Sequence, residues 1–123
     1  MNMRESIAAA RLSGPGQSDG GGAVFEFRFD AEQPVFAGHF PGRPVLPGIF
    51  QLEMTRAAAE WILHCPLSVN EIVKSKFERP IAPGETVRLI LNCSESDGLI
   101  QARAEFSVDG AQAGRTAITL RRK

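Results

Sequence analysis

Two residues in this chain pair a proton acceptor with a proton donor at fixed stations. His39 lies in Gly38-His39-Phe40-Pro41-Gly42-Arg43-Pro44-Val45-Leu46-Pro47-Gly48, and Glu53 follows five residues later. Three prolines and three glycines stiffen and turn that loop, so it can hold an imidazole still. An imidazole with an ordinary pKa near ~6.5 accepts a proton at neutral pH. A carboxyl group in an apolar pocket stays protonated and gives one back. Base and acid in one site permit removal and return of protons. A third element is Gly48, at the start of a predicted helix. Free N–H groups and the helix dipole there favour an oxygen gaining charge as an enolate.

Each residue also has a plainer reading. A histidine in a Pro/Gly loop is more often structural. Glu53 projects onto a polar stripe with Arg56, Glu60 and His64, at spacings that make i,i+3 and i,i+4 pairs and read as a solvated face. His64 fits a helix C-terminal cation.

The elements that must position these groups follow from periodicity. Pro47 to about His64 reads as one helix, with Pro47 in its first turn and Pro66 stopping it. Its apolar residues cover roughly two-thirds of the circumference, so the helix is wrapped by other structure. Residues 23–30 alternate, with Phe25, Phe27 and Phe29 on one face, and form a half-buried strand. Four further strands are expected at about 69–79, 86–94, 99–108 and 113–121, separated by Pro83-Gly84, Ser96-Asp97-Gly98 and Asp109-Gly110 as an antiparallel meander. Residues 14–22 read as a glycine-rich loop. Before it, either Arg4 to Ala10 is a short helix or Ser6 to Leu12 is a first strand, which would make the loop a hairpin tip. The class is α+β, one antiparallel sheet around one long helix.

Bulk properties narrow the classes. At 123 residues the chain fits a single domain, 1–123, whose first 22 residues form a divergent N-terminal segment. Net charge is zero, so nothing argues for nucleic acid or an anionic membrane as partner. No apolar run reaches the ~18 residues of a membrane span. There is no signal-peptide pattern. Cys65 and Cys93 lack metal-ligand spacing, so no metal is expected and a reduced, cytoplasmic protein is the default. Serine-nucleophile, Walker A, C-x-x-C and H-E-x-x-H motifs are absent.

The run from Gly38 to Glu53 resembles the G-H-F-P-x-x-P-x-[ML]-P-G segment and following acid of the 3-hydroxyacyl-acyl carrier protein dehydratases. Lys76-Phe77-Glu78-Arg79-Pro80-Ile81-Ala82-Pro83-Gly84-Glu85 resembles the family's K-F-x-x-P-V-x-P-G-D segment. The resemblance covers about residues 23–95. It implies a hot-dog fold, and a homodimer as the smallest active unit, often assembled to a hexamer, with the histidine of one subunit facing the acid of its neighbour. It also implies no cofactor. His39 would take the α-proton of a 3-hydroxyacyl thioester held on acyl carrier protein, Glu53 would protonate the leaving hydroxyl, and the Gly48 N–H would hold the thioester carbonyl. Phe40, Leu46, Phe50 and Phe77 are candidate tunnel walls, and Lys74, Lys76, Arg79, Arg121 and Arg122 a candidate basic rim for an acidic carrier protein. The setting implied is fatty acid synthesis or specialised polyketide or aryl-polyene lipid synthesis.

Two departures stand out. The family's E-A-M-A-Q is here Glu53-Met54-Thr55-Arg56-Ala57, and the family's usual N-terminal H-R-x-P-F-L-x-V-D-R run is missing. The competing readings are a hot-dog acyl thioesterase, using the helix carboxylate, and a catalytically degenerate module that only binds acyl carrier protein.

Overall fold

The computed structural model describes residues 2–36, 42 and 44–123. The chain opens with helix α1, Met3–Ala10, which Asn2 and Glu5 start with a reciprocal capping box. Strand β1, Arg11–Gln17, follows without a break. The N-terminal segment therefore contains both a helix and a strand. The strand lies later than Ser6 to Leu12 and runs into the expected loop, leaving residues 18–22 as the hairpin tip. Gly14 explains this. Its φ of 114° and its closeness to Val24, where a Cβ would come within 2.6 Å of the carbonyl oxygen, let β1 press onto β2 through a bulge. Pro15 is tolerated because β1 is an edge strand.

Strand β2, Ala23–Arg28, then leads through a short 3-10 turn at Pro34–Phe36 toward helix α2, Gly48–Leu63. Strands β3, Leu67–Phe77, β4, Thr86–Ser96, β5, Leu99–Val108, and β6, Ala111–Arg122, complete the chain. They form one six-stranded antiparallel sheet in the order β1-β2-β4-β5-β6-β3. Only β4 to β6 form the expected meander. β3 pairs with β6 at the far edge, because the Pro80–Gly84 connection carries the chain across to β4 instead of turning back beside β3.

The sheet wraps α2, which is the hot-dog fold. Phe25, Phe27 and Phe29 all point inward. Phe25 meets Trp61 at a tilt with centroids 5.6 Å apart, Phe27 stacks on it at 6.1 Å, and Phe29 meets Phe50 edge-on at 5.9 Å. The inner faces of β4, β5 and β6 add Leu89, Leu91, Phe106, Ile118 and Leu120. Small residues where the layers meet, Ala57, Ala58 and Ala59 on the helix and Ala102 and Ala104 on β5, bring helix and sheet close. Thr55 and Thr116 put two hydroxyls into this core and satisfy each other at 2.7 Å.

Candidate active site

Helix α2 begins at Gly48 after Pro47, which stands at the N-cap position in extended conformation rather than inside the first turn. Proline has no side-chain acceptor, so among the described residues no side chain caps this end. A cavity of about 220 Å³ opens beside it, lined by Leu46, Gly48, Gln51, Phe77, Arg79 and Pro80 among others. Three of the expected site residues therefore meet here: Gly48, Leu46 and Phe77. Leu46 is buried and anchored by its backbone N–H, which donates to the Ile81 carbonyl at 2.7 Å. Phe77 is half exposed, and its ring lies where a side chain at position 48 would be, 2.6 Å from an added Cβ. Glycine is required there so that the ring and the helix end can share the cavity wall.

Other expected residues lie elsewhere. Phe50 packs into the core on Phe29 and does not line this cavity. His39 and Phe40 fall outside the described residues. Glu53 lies five residues beyond Gly48, roughly 140° around the helix axis, so it faces a different side of the same helix.

The stripe that carries Glu53 is not a solvated face. Arg56 is only 3% exposed. Its Nε donates to Glu53 and its Nη1 pairs with Glu60 at 2.8 Å. The start of β3 folds back over this side of the helix, and the Leu67 backbone N–H donates to Glu60 at 2.7 Å. Arg4 of α1 reaches Glu60 from outside at 3.7 Å. Burial pushes the Glu60 carboxyl up, yet the Leu67 N–H and the Arg56 charge together hold it below the usual carboxylate range. Burial works against the Arg56 charge, but its bonds to Glu53 and Glu60 raise its pKa further. His64 ends the helix as a left-handed cap at φ 55°, with its N–H on the Glu60 carbonyl.

The expected basic rim is partly spent on ion pairs. Arg79 holds Glu85 at 2.7 Å, Arg122 holds Glu95 at 2.9 Å, and Arg121 donates to Asn70. The Arg79 bond and the Ala82 N–H keep the Glu85 carboxyl below its ordinary range and fix the turn that edges the cavity. Cys65 and Cys93 are free thiols. Among the described residues no three His, Cys, Asp or Glu side chains gather as metal ligands, and no helix is long and apolar enough to cross a membrane.

One residue of this site was not singled out by sequence. Gln51 is 3% exposed, lines the cavity one turn from Gly48, and leaves its Oε1 without a partner. The available signal was a carboxamide within an otherwise apolar helix start.

A family model described as ApeI-like, ApeI dehydratase, matches residues 16–118. The chain belongs to the ApeI-like dehydratase family. It is 37% identical over 86 residues to a 3-hydroxyacyl-[acyl-carrier-protein] dehydratase FabZ from Herpetosiphon aurantiacus, an alignment covering 63% of this chain and 61% of that protein. The aligned stretch thus spans about three fifths of the length of that curated relative. Among solved structures, the dehydratase heterocomplex ApeI:P from Xenorhabdus doucetiae superposes with a TM-score of 0.74 at 29% identity, covering 91% of this chain and 96% of that one. A hexameric thioesterase from Yersinia pestis shares the fold at a TM-score of 0.58 and 15% identity, over 72% of this chain and 80% of that one.

Proposed function

We propose that the protein is a 3-hydroxyacyl thioester dehydratase, acting as a single cytoplasmic domain on substrates carried by acyl carrier protein in fatty acid or specialised polyketide or aryl-polyene lipid synthesis. The observation that carries this reading is the start of α2 at Gly48, without a side-chain cap among the described residues and open to a cavity of about 220 Å³, in a chain of the ApeI-like dehydratase family. The Gly48 N–H holds the thioester carbonyl oxygen. His39 removes a proton from C2, and the electron pair delocalises onto that oxygen as an enolate. The enolate collapses to a C2–C3 double bond as the C3–O bond breaks. Glu53 gives its proton to the departing hydroxyl, and water and a trans-2-enoyl thioester leave. Exchange with solvent returns the proton from His39 to Glu53.

The site is shared by two copies of the chain. Gly48 and Glu53 face different sides of α2, so one copy does not bring its own acid to its own helix start. The outer edge of β3 supports such pairing, because this terminal strand exposes Val69, Ile72, Val73 and Phe77. Phe77 links that edge to the cavity wall. Two copies joined along β3 bring both cavities to the seam, and such dimers are the unit from which a hexamer would be built.

A second reading rests on the Glu53–Arg56 ion pair. A salt-bridged carboxylate suits attack on a thioester or activation of water for its hydrolysis, as in a thioesterase. The two readings separate when purified protein meets 3-hydroxyacyl carrier protein. Growth of the enoyl-thioester absorbance, lost in His39→Ala and Glu53→Gln, is the dehydratase result. Release of free thiol that survives His39→Ala is the thioesterase result.

A further inference from the structure

Gln51 is buried, yet its Oε1 has no partner among the described residues. Its Oε1 lies where a side chain on Gly114 would be, and the Lys76 carbonyl oxygen is 2.9 Å from that same point. Oε1 has no hydrogen-bond partner there. An apolar side chain of the same length would fill this space without that cost. Gly114 pairs with Phe77 across β6 and β3, and Phe77 covers Gly48. The sheet thus gives up a side chain at position 114 to make room for Gln51 beside the helix start. Gln51 also lines the cavity, and its Nε2, unlike Oε1, is not among the buried atoms without a partner, which leaves Nε2 as the donor it can offer there.

We infer that Gln51 is a substrate-contacting residue whose Nε2–H donates a second hydrogen bond to the thioester oxygen held by the Gly48 N–H. Gly48 and Gln51 stand at i and i+3, so both lie on one face of the first turns of α2. Two converging donors hold a developing enolate better than one. They also fix the carbonyl's rotation, and so the direction in which the C2 proton is presented to the base. The ligand's identity rests on the dehydratase reading, whereas the contact itself does not depend on turnover.

The test compares wild type, Gln51→Leu and Gln51→Glu by three readouts: melting temperature, dehydration of a 3-hydroxyacyl carrier thioester, and Kd for the trans-2-enoyl pantetheine thioester. Gln51→Leu is expected to melt at or above the wild-type temperature while kcat falls by about 10²-fold, the cost of one lost oxyanion donor. Gln51→Glu offers acceptors only and should lose turnover too. Both should bind the enoyl thioester more weakly by about tenfold, in line with one lost hydrogen bond. Should Gln51→Leu fail to fold, the unbranched Gln51→Met takes its place. Unchanged enoyl-thioester binding in Leu or Met and in Glu overturns the inference, whatever the turnover. Full activity in Gln51→Glu overturns the donor role. A wild type that binds the enoyl thioester through Gln51 but does not dehydrate would sink the dehydratase reading and leave the contact standing.

Discussion

The two ends of α2 treat polar groups in opposite ways. From Glu53 to His64 most polar groups find a match inside the protein, Arg56 Nη2 excepted: Arg56 bridges Glu53 and Glu60, Glu60 takes the Leu67 N–H, and His64 closes the helix as a left-handed cap. At Gly48 and Gln51 groups are left over among the described residues: no side chain caps the helix, an acceptor is buried without a donor, and a cavity lies alongside. Unpartnered polar groups beside an open cavity are where a ligand can add hydrogen bonds. Glu53 stands at the boundary, one carboxylate oxygen bound to Arg56 and the side chain about a quarter exposed.

Breaking the satisfied end should cost the most stability. Arg56→Ala leaves Glu53 and Glu60 facing each other with no cation between them, and should destabilise by about 3 kcal/mol, read as a lower denaturant midpoint. Arg56→Met with Glu60→Gln should cost clearly less, since no uncompensated Glu60 charge then remains. Equal losses in the two variants would mean that the uncompensated Glu60 charge does not set the cost, contradicting this account. Gly114→Ala attacks the other end. Its Cβ would meet the Lys76 carbonyl at 2.9 Å as well as Gln51 Oε1, and the backbone oxygen has little room to yield. About 1–3 kcal/mol of destabilisation is expected, with weaker thioester binding as Gln51 is displaced.

The pH dependence sharpens the same contrast. Glu60 has a folded pKa below its unfolded value, despite burial that opposes this, because the Leu67 N–H and Arg56 outweigh it. Its contribution is therefore fully present above the unfolded glutamate value of about 4.3 and is lost as pH falls through the lower folded value. Melting temperature should drop across that acid window, and Glu60→Gln should flatten the drop. A steeper drop in Glu60→Gln would contradict the assignment. The smallest expected effect on the fold is at the β3 edge. Val73→Lys touches no core residue and should change stability by less than about 0.5 kcal/mol, yet it should shift the mass seen by light scattering from dimer toward monomer.

Much of this contrast was open to reading from residue patterns, and part was not. The wrapped helix followed from apolar residues around most of its circumference, and the inward Phe25, Phe27 and Phe29 from strict alternation. The Pro/Gly loop and the Lys76–Glu85 segment carried the family. What escaped were effects of distant chain crossing. Arg56 sits in a stripe that looks solvated, because helical projection cannot show that the start of β3 returns over it. β1 runs through Gly14 and Pro15 because its partner strand imposes extended pairing on residues that prefer turns. β3 moves to the sheet edge because of a connection whose path is tertiary. Gln51 escaped because one carboxamide among apolar neighbours is unremarkable until its oxygen is found buried and unpartnered.

The central claim is that two copies of this chain build one dehydrating site, with the base and the acid supplied by different copies. Its most direct test is complementation. His39→Ala and Glu53→Gln proteins, each inactive alone, are unfolded together, refolded as a mixture and supplied with 3-hydroxyacyl carrier protein while the enoyl-thioester absorbance is followed. Turnover that reappears only in the mixture, from mixed dimers holding one intact base facing one intact acid, is the expected result. A mixture that forms mixed dimers by mass and still produces no enoyl thioester, beside an active wild type, would contradict it.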